Sequence, residues 1–158
     1  MRFMQLPSRF LLAQACAGTV RQKHPLLIAG SELAGLHESK LERSISDIPE
    51  IDCARARVVH KVDRWVSAHA PEPAGAAFLH TETMGMVIDR MAEYSVAARV
   101  ALERGAGEPR SHYLWQRVSE IALGYADLVF EVSIGRRRLP DLADPWTARE
   151  DPSRAEAR

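Results

Sequence analysis

Aromatic side chains are scarce in this chain, at 6% of 158 residues. Few ring faces are therefore present on which nucleic-acid bases could stack. There is no surplus of charge either: Lys plus Arg is 21, Asp plus Glu is 21, and the formal net charge is zero. That balance argues against a broad basic face for nucleic acid, which needs clustered excess positive charge. No run approaches the ~18 consecutive apolar residues of a membrane span. Cysteine is limited to Cys16 and Cys53, which form no CxxC or other metal-like spacing. A chain that is 46% hydrophobic can bury a core without a disulfide, so free thiols in a reducing cytoplasm are expected. The run Phe10 to Ala13, broken by Gln14, is shorter than the ~7–15 apolar residues of a secretory core, which makes the expected setting cytoplasmic. Gly-rich phosphate loops, dinucleotide fingerprints, nucleophile elbows and zinc-finger spacings are all missing.

What is present is helical period. Ser8 is placed to cap a short helix over residues 9–17, closed by Gly18. His24-Pro25 opens a second helix, because proline suits the first helical position, and Leu27, Ala34, Leu41 and Ile45 recur on one face of it. A third carries Ile51, Ala54, Val58, Val62, Trp65 and Val66. A fourth is expected from about Thr81 to Arg104, with Met84, Ile88, Met91, Ser95, Ala98 and Leu102 on one side. Ser111 is expected to cap a fifth, striped by Leu114, Val118, Ile121, Tyr125, Leu128 and Val132. Gly135 falls where a left-handed cap closes a helix, and Pro140 follows. No segment alternates with period two for long enough to make a strand. The expected fold is all-α, a bundle of four to five helices occupying residues 1–140. Residues 141–158, rich in Asp, Pro, Ala and Arg without apolar period, are expected to form a disordered or draped tail, with Trp146 its one anchor.

The densest polar stretch runs from Leu79 to Arg90. At 100° per residue Glu82, Met86, Asp89 and Glu93 share a helical face beside the apolar stripe. His80 stands just before that helix, where its ring could meet Glu82 or the unpaired first N–H groups. A carboxylate beside a histidine raises its pKa, which makes an acid–base pair. The plainer reading is that Glu82 complements the helix dipole and Asp89, Arg90 and Glu93 pair on the surface.

Glu82, Asp89 and Glu93 follow E-x6-D-x3-E, and Glu120, Asp127 and Glu131 repeat it on the fifth helix. Antiparallel neighbours could join these acids as carboxylate-bridged metal bundles do, although no Glu has a His three residues later. Two solvated acidic edges explain the pattern as well. His60 and Asp63 stand one turn apart, a spacing that chelates a metal, relays a proton or forms an ordinary surface pair. His24, His69 and His112 look like caps at helix ends or in loops. Arg55 and His60 fit R-x4-H, a spacing used by a class of all-helical ribonucleases, but no RNA platform accompanies it. The E-x-x-E and E-x-x-D pairs of helical nucleotide pyrophosphohydrolases are absent. Arg136, Arg137 and Arg138 suit either an anionic partner or the last carbonyls of the fifth helix.

Five stretches occur in order: His24 to Leu27, Glu32 to Glu38, Val62 to Val66, Leu79 to Arg90 and Tyr125 to Leu128. Together they resemble an uncharacterised bacterial domain-of-unknown-function family, the 4254 family. Its hallmark is Leu-(His/Asn)-(Ser/Thr)-Glu-Thr followed by Gly and an Asp-Arg pair, and the likeness spans roughly residues 24–140. The resemblance implies a helical bacterial domain and names no reaction. It does place the family motif on His37, Asp63, His80, Glu82, Asp89, Arg90 and Asp127.

The expectation is a small-molecule enzyme with an interhelical pocket. His80, Glu82 and Asp89 are its catalytic candidates, with Asp89 orienting His80 or Arg90. Arg90, His37, Asp63, Asp127 and Arg136 are its substrate-binding candidates. The alternatives are a dimeric binding or assembly module exposing Met84, Met91, Val129 and Phe130, and a metal-binding bundle. No metal ligand is assigned, no cofactor is implied, and a homo-oligomer that binds neither nucleic acid nor membrane is expected.

Overall fold

The computed structural model describes residues 6–19 and 22–142. Helix α1 spans Arg9–Cys16, α2 Pro25–Glu42, α3 Ile48–His69, α4 Met84–Glu103 and α5 Glu108–Ser133, with a 3₁₀ turn at Ile45–Asp47. Two-residue segments, β1 (Phe78–Leu79) and β2 (Arg137–Arg138), pair in parallel. The fold is a helical bundle, as the periodicity predicts. Trp146 and the expected tail beyond Leu142 lie outside the described residues.

The helix starts follow local chemistry. Ser8 Oγ accepts the Leu11 N–H, His24 Nδ1 accepts the Leu26 N–H, and Thr83 Oγ1 accepts the Met86 N–H. Each satisfies a donor that a helix start otherwise leaves unpaired. Two boundaries differ from the expected ones. Helix α4 begins at Met84 behind the Thr83 cap, so Glu82 precedes the helix and is not in its first turn. Helix α5 begins at Glu108, where Pro109 supplies a preset φ in the first turn. Ser111 caps nothing; its hydroxyl donates back to the Ala106 carbonyl. His112 is consequently inside α5, whereas His24 caps α2 and His69 ends α3, stacked on Trp65.

Helix α4 is the central element, packed against α1, α2, α3 and α5. Met84, Ile88, Met91 and Ala98 are fully buried along it, with Leu12, Leu26, Leu33 and Tyr125 from its neighbours. Each such aliphatic side chain contributes about 2 kcal/mol by leaving water. The expectation that Met84 and Met91 are surface residues is therefore wrong: the stripe they share with Ile88 is the face surrounded by other helices. Leu41, Ile45 and Leu102, expected on inner faces, are exposed; they lie at or beyond helix ends, where no neighbour covers them. Tyr125 donates its hydroxyl to the Pro7 carbonyl at 2.9 Å, which fastens the segment before α1 to α5.

At the end of α5 the chain turns through Gly135, whose φ of +71° is the left-handed cap its type suggests. It then runs beside the 74–80 segment. Ala74 N–H donates to Gly135 O, Phe78 N–H to Arg136 O and His80 N–H to Arg138 O. Residues 135–142 thus form a strap held against the α3–α4 connection.

Candidate functional site

The strap, α3 and the start of α4 enclose an open cleft of about 990 Å³. Asp52, Arg55, His60, Asp63 and Arg64 reach it from α3, Thr83, Met86 and Asp89 from the α4 region, and Arg137, Arg138 and Asp141 from the strap.

Its floor exists because α4 meets α3 at Gly85. A Cβ built there would lie 2.5 Å from the Val59 carbonyl oxygen and 2.8 Å from Asp63 Oδ1, so only glycine allows the approach. Across that contact the Gly85 N–H donates to Asp63 Oδ1 at 2.7 Å. Asp63 thereby sits at the positive end of the α4 dipole. Burial nevertheless prevails and holds the Asp63 pKa above the usual carboxylate value, against the bonds from Gly85 and Thr83 and the charge of His60. A half-buried carboxyl poised this way can take or give a proton within the cleft.

A second group ties three helices together. Arg55 Nη2 donates to Asp89 Oδ2 at 2.6 Å, its Nε to Asp89 Oδ1 at 3.2 Å, and its Nη1 to Asp52 Oδ1 at 2.7 Å. Lys40 of α2 also donates to Asp52, at 2.8 Å. His37 of α2, only 6% exposed, places Nε2 2.8 Å from Asp89 Oδ1. An ionised carboxylate only accepts, so His37 Nε2 carries the proton. Burial pushes the Asp89 carboxyl up, but the bonds from His37 and Arg55 outweigh it and its pKa is lowered. Asp89 is a charge fixed at the cleft wall by the Arg55 guanidinium and the His37 ring.

The residues foreseen from the sequence separate into those that meet here and those that do not. Asp63 and Asp89 line the cleft, and His37 supports Asp89 from beneath. His80, Glu82, Arg90, Asp127 and Arg136 do not line it. His80 Nδ1 contacts the backbone of Glu82, 2.9 Å from its O and 3.2 Å from its N, and not its carboxylate. Glu82 pairs instead with Arg90. The expected upward shift of His80 is reversed, since burial and then the Arg137 charge lower its pKa. Asp89 orients neither His80 nor Arg90, because both of its oxygens are taken by His37 and Arg55. Asp127 is exposed on α5 and Arg136 on the strap. The two acidic edges do not merge. Glu120 pairs with Arg117 and Glu131 with Arg137, and among the described residues no group of three or more His, Cys, Asp or Glu is placed to hold a metal ion.

Arg55, Thr83, Gly85 and Arg138 were not among the expected site residues. Arg55 was visible only as half of a ribonuclease-like spacing, and a threonine before an apolar run signals a helix cap. Gly85 entered the sequence reading only as the glycine of the family motif and Arg138 only as one of three consecutive arginines, because their partners come from distant parts of the chain.

A comparison with curated proteins and another with solved structures found no match. A comparison with protein families did: the profile of DUF4254, described as a protein of unknown function, matches residues 34–140. That span takes in the second half of α2, all of α3, α4 and α5, and the strap as far as Pro140, so every cleft-lining residue except Asp141 and Leu142 lies within it. The chain belongs to the DUF4254 family.

Proposed function

We propose that the protein is a small-molecule enzyme of the bacterial cytoplasm that performs acid–base chemistry in the α3–α4 cleft. Asp63 is the proton-transfer group and Asp89 a fixed negative charge that orients the ligand. The observation that carries this reading is the convergence of Asp63, Asp89 and Arg55 on one cleft from two helices joined by a long connection. A raised carboxyl in a cleft next to a lowered one divides proton transfer from charge, the usual arrangement of paired catalytic acids. Both cysteines are free, which fits a reducing compartment. Among the described residues no helix is long and apolar enough to cross a membrane.

The test is thermal-shift screening against a library of small metabolites, followed by turnover of any hit by the wild type and Asp63→Asn. Asparagine keeps an oxygen to accept the Gly85 N–H and cannot exchange a proton. Retained binding with at least about 100-fold slower turnover supports the reading. Unchanged turnover rejects Asp63 as the acid–base group.

A second reading, self-association of two copies, rests on α5. Leu123, Phe130 and Ile134 are about half exposed or more and follow one another along the helix opposite its buried stripe of Val118, Tyr125 and Val132. An apolar face of this kind is complementary to its own copy across a two-fold axis. Sedimentation equilibrium of wild type and Phe130→Glu decides it: a dimer converted to monomer supports it, and a monomeric wild type excludes it.

A further inference from the structure

We infer that the cleft takes an anionic ligand, a carboxylate or phosphate on an apolar body, and that Arg64 and Arg138 hold its charged end. This inference rests on the cleft being the functional site. The cations around the cleft are not equivalent. Arg55 is committed to Asp52 and Asp89, and Arg137 donates to Glu131 Oε2 at 2.7 Å. Arg64 on α3 and Arg138 on the strap line the same cleft, and neither forms an ion pair among the described residues. Of the carboxylates at the same walls, Asp52 and Asp89 are already engaged by Lys40, Arg55 and His37, Asp63 accepts from the α4 amino terminus, and Glu72 and Asp141 pair with neither arginine. Two guanidinium groups that line the cleft are thus outside any ion pair among the described residues.

Arginine suits this task because its planar fork matches two oxygens of a carboxylate or phosphate at once. Its charge also survives any ordinary pH. Between the charged groups the walls are apolar: Val59, Met84, Met86, Val132, Leu139 and Pro140. Such a surface accepts a hydrocarbon or ring body while the fork takes the charge. The two arginines come from elements far apart in the chain, so a bound anion would bridge α3 and the strap and hold the cleft together.

The experiment compares phenyl phosphate, benzoate and neutral benzyl alcohol, titrated by ¹H–¹⁵N NMR into wild type, Arg64→Gln and Arg138→Gln. Circular dichroism melts confirm that the variants, both altered at exposed positions, remain folded. The expected result is shifts at cleft residues with the two anions, and binding about 10-fold weaker in each variant. Benzyl alcohol binding as tightly as the anions, or anion binding unchanged in both variants, overturns the anion assignment while leaving the cleft as a binding site. Failure of all three to shift any cleft residue overturns the assignment and the cleft reading together.

Discussion

Asp63 Oδ1 accepts a hydrogen bond from the Gly85 N–H at 2.7 Å, and this one contact both seats α4 on α3 and sets the floor of the cleft. Gly85→Ala is accordingly expected to cost about 3 kcal/mol, because the added methyl would press on the Val59 backbone and α4 would have to move. Gly35→Ala and Gly124→Ala are the controls. Both positions are helical with open space around them, and alanine there is expected to stabilise by up to about 1 kcal/mol. Urea denaturation of the three variants measures both effects.

Asp89 makes acid sensitivity predictable in sign. Its folded pKa lies below the ordinary carboxylate value. Its stabilising contribution is therefore complete above the unfolded pKa, near 4, and is lost as pH falls through the lower folded value. Asp89→Ala removes the acceptor of His37 and leaves Arg55 with Asp52 alone, and is expected to cost about 2 kcal/mol at neutral pH. Its stability should also fall less steeply than that of the wild type between about pH 4 and pH 2. Denaturation midpoints across that range test both statements.

Asp63 carries the opposite sign. Its folded pKa is raised, so its contribution is full below the unfolded value and diminishes as pH rises through the folded one. Asp63→Asn removes that dependence. Its stability at neutral pH should stay within about 1 kcal/mol of the wild type. A much larger loss, measured by the same denaturation method, would make the carboxylate chiefly a clamp on α4.

The two thiols should differ sharply in reactivity. Cys53 is exposed on α3, whereas Cys16 is buried against α2 and burial pushes its pKa up to about 12. A thiol reagent at neutral pH should modify Cys53 alone in the folded protein and both residues after denaturation, as mass spectrometry would show.

Tyr125→Phe tests how firmly the amino-terminal segment is fastened. The lost hydroxyl leaves the Pro7 carbonyl without that donor, and a cost of about 1 kcal/mol is expected in thermal unfolding.

The helices were legible because each carries an apolar stripe of regular period, joined at α1 and α2 by the caps Ser8 and His24; the Thr83 cap and the start of α5 at Glu108 were not read. The order in which the helices pack was not legible. Met84 and Met91 look alike whether their face meets solvent or another helix, and only the placement of α4 at the centre buries them. The candidate site was half legible for the same reason. Asp63 and Asp89 stood out as polar residues in helical register and His37 through the family motif, but their partners are long-range. Asp89 meets Arg55 across 34 positions and His37 across 52. His80 and Glu82 were close in sequence, and closeness suggested a pair. In the fold His80 turns to the Glu82 backbone and the Glu82 carboxylate to Arg90, because the chain bends at Thr81 and Glu82 and becomes helical only at Met84.

A growing polypeptide meets the pairing of Phe78–Leu79 with Arg137–Arg138 late. All of α4 and α5 intervenes, so the loop that the pairing closes is long and its closure entropy is met only after those helices have been synthesised and packed. During translation the core around Met84, Ile88 and Leu33 can assemble while the strap is still inside the ribosome. The nascent protein would therefore pass through a stage at which α3 and the start of α4 are in place but the strap that completes the cleft is not.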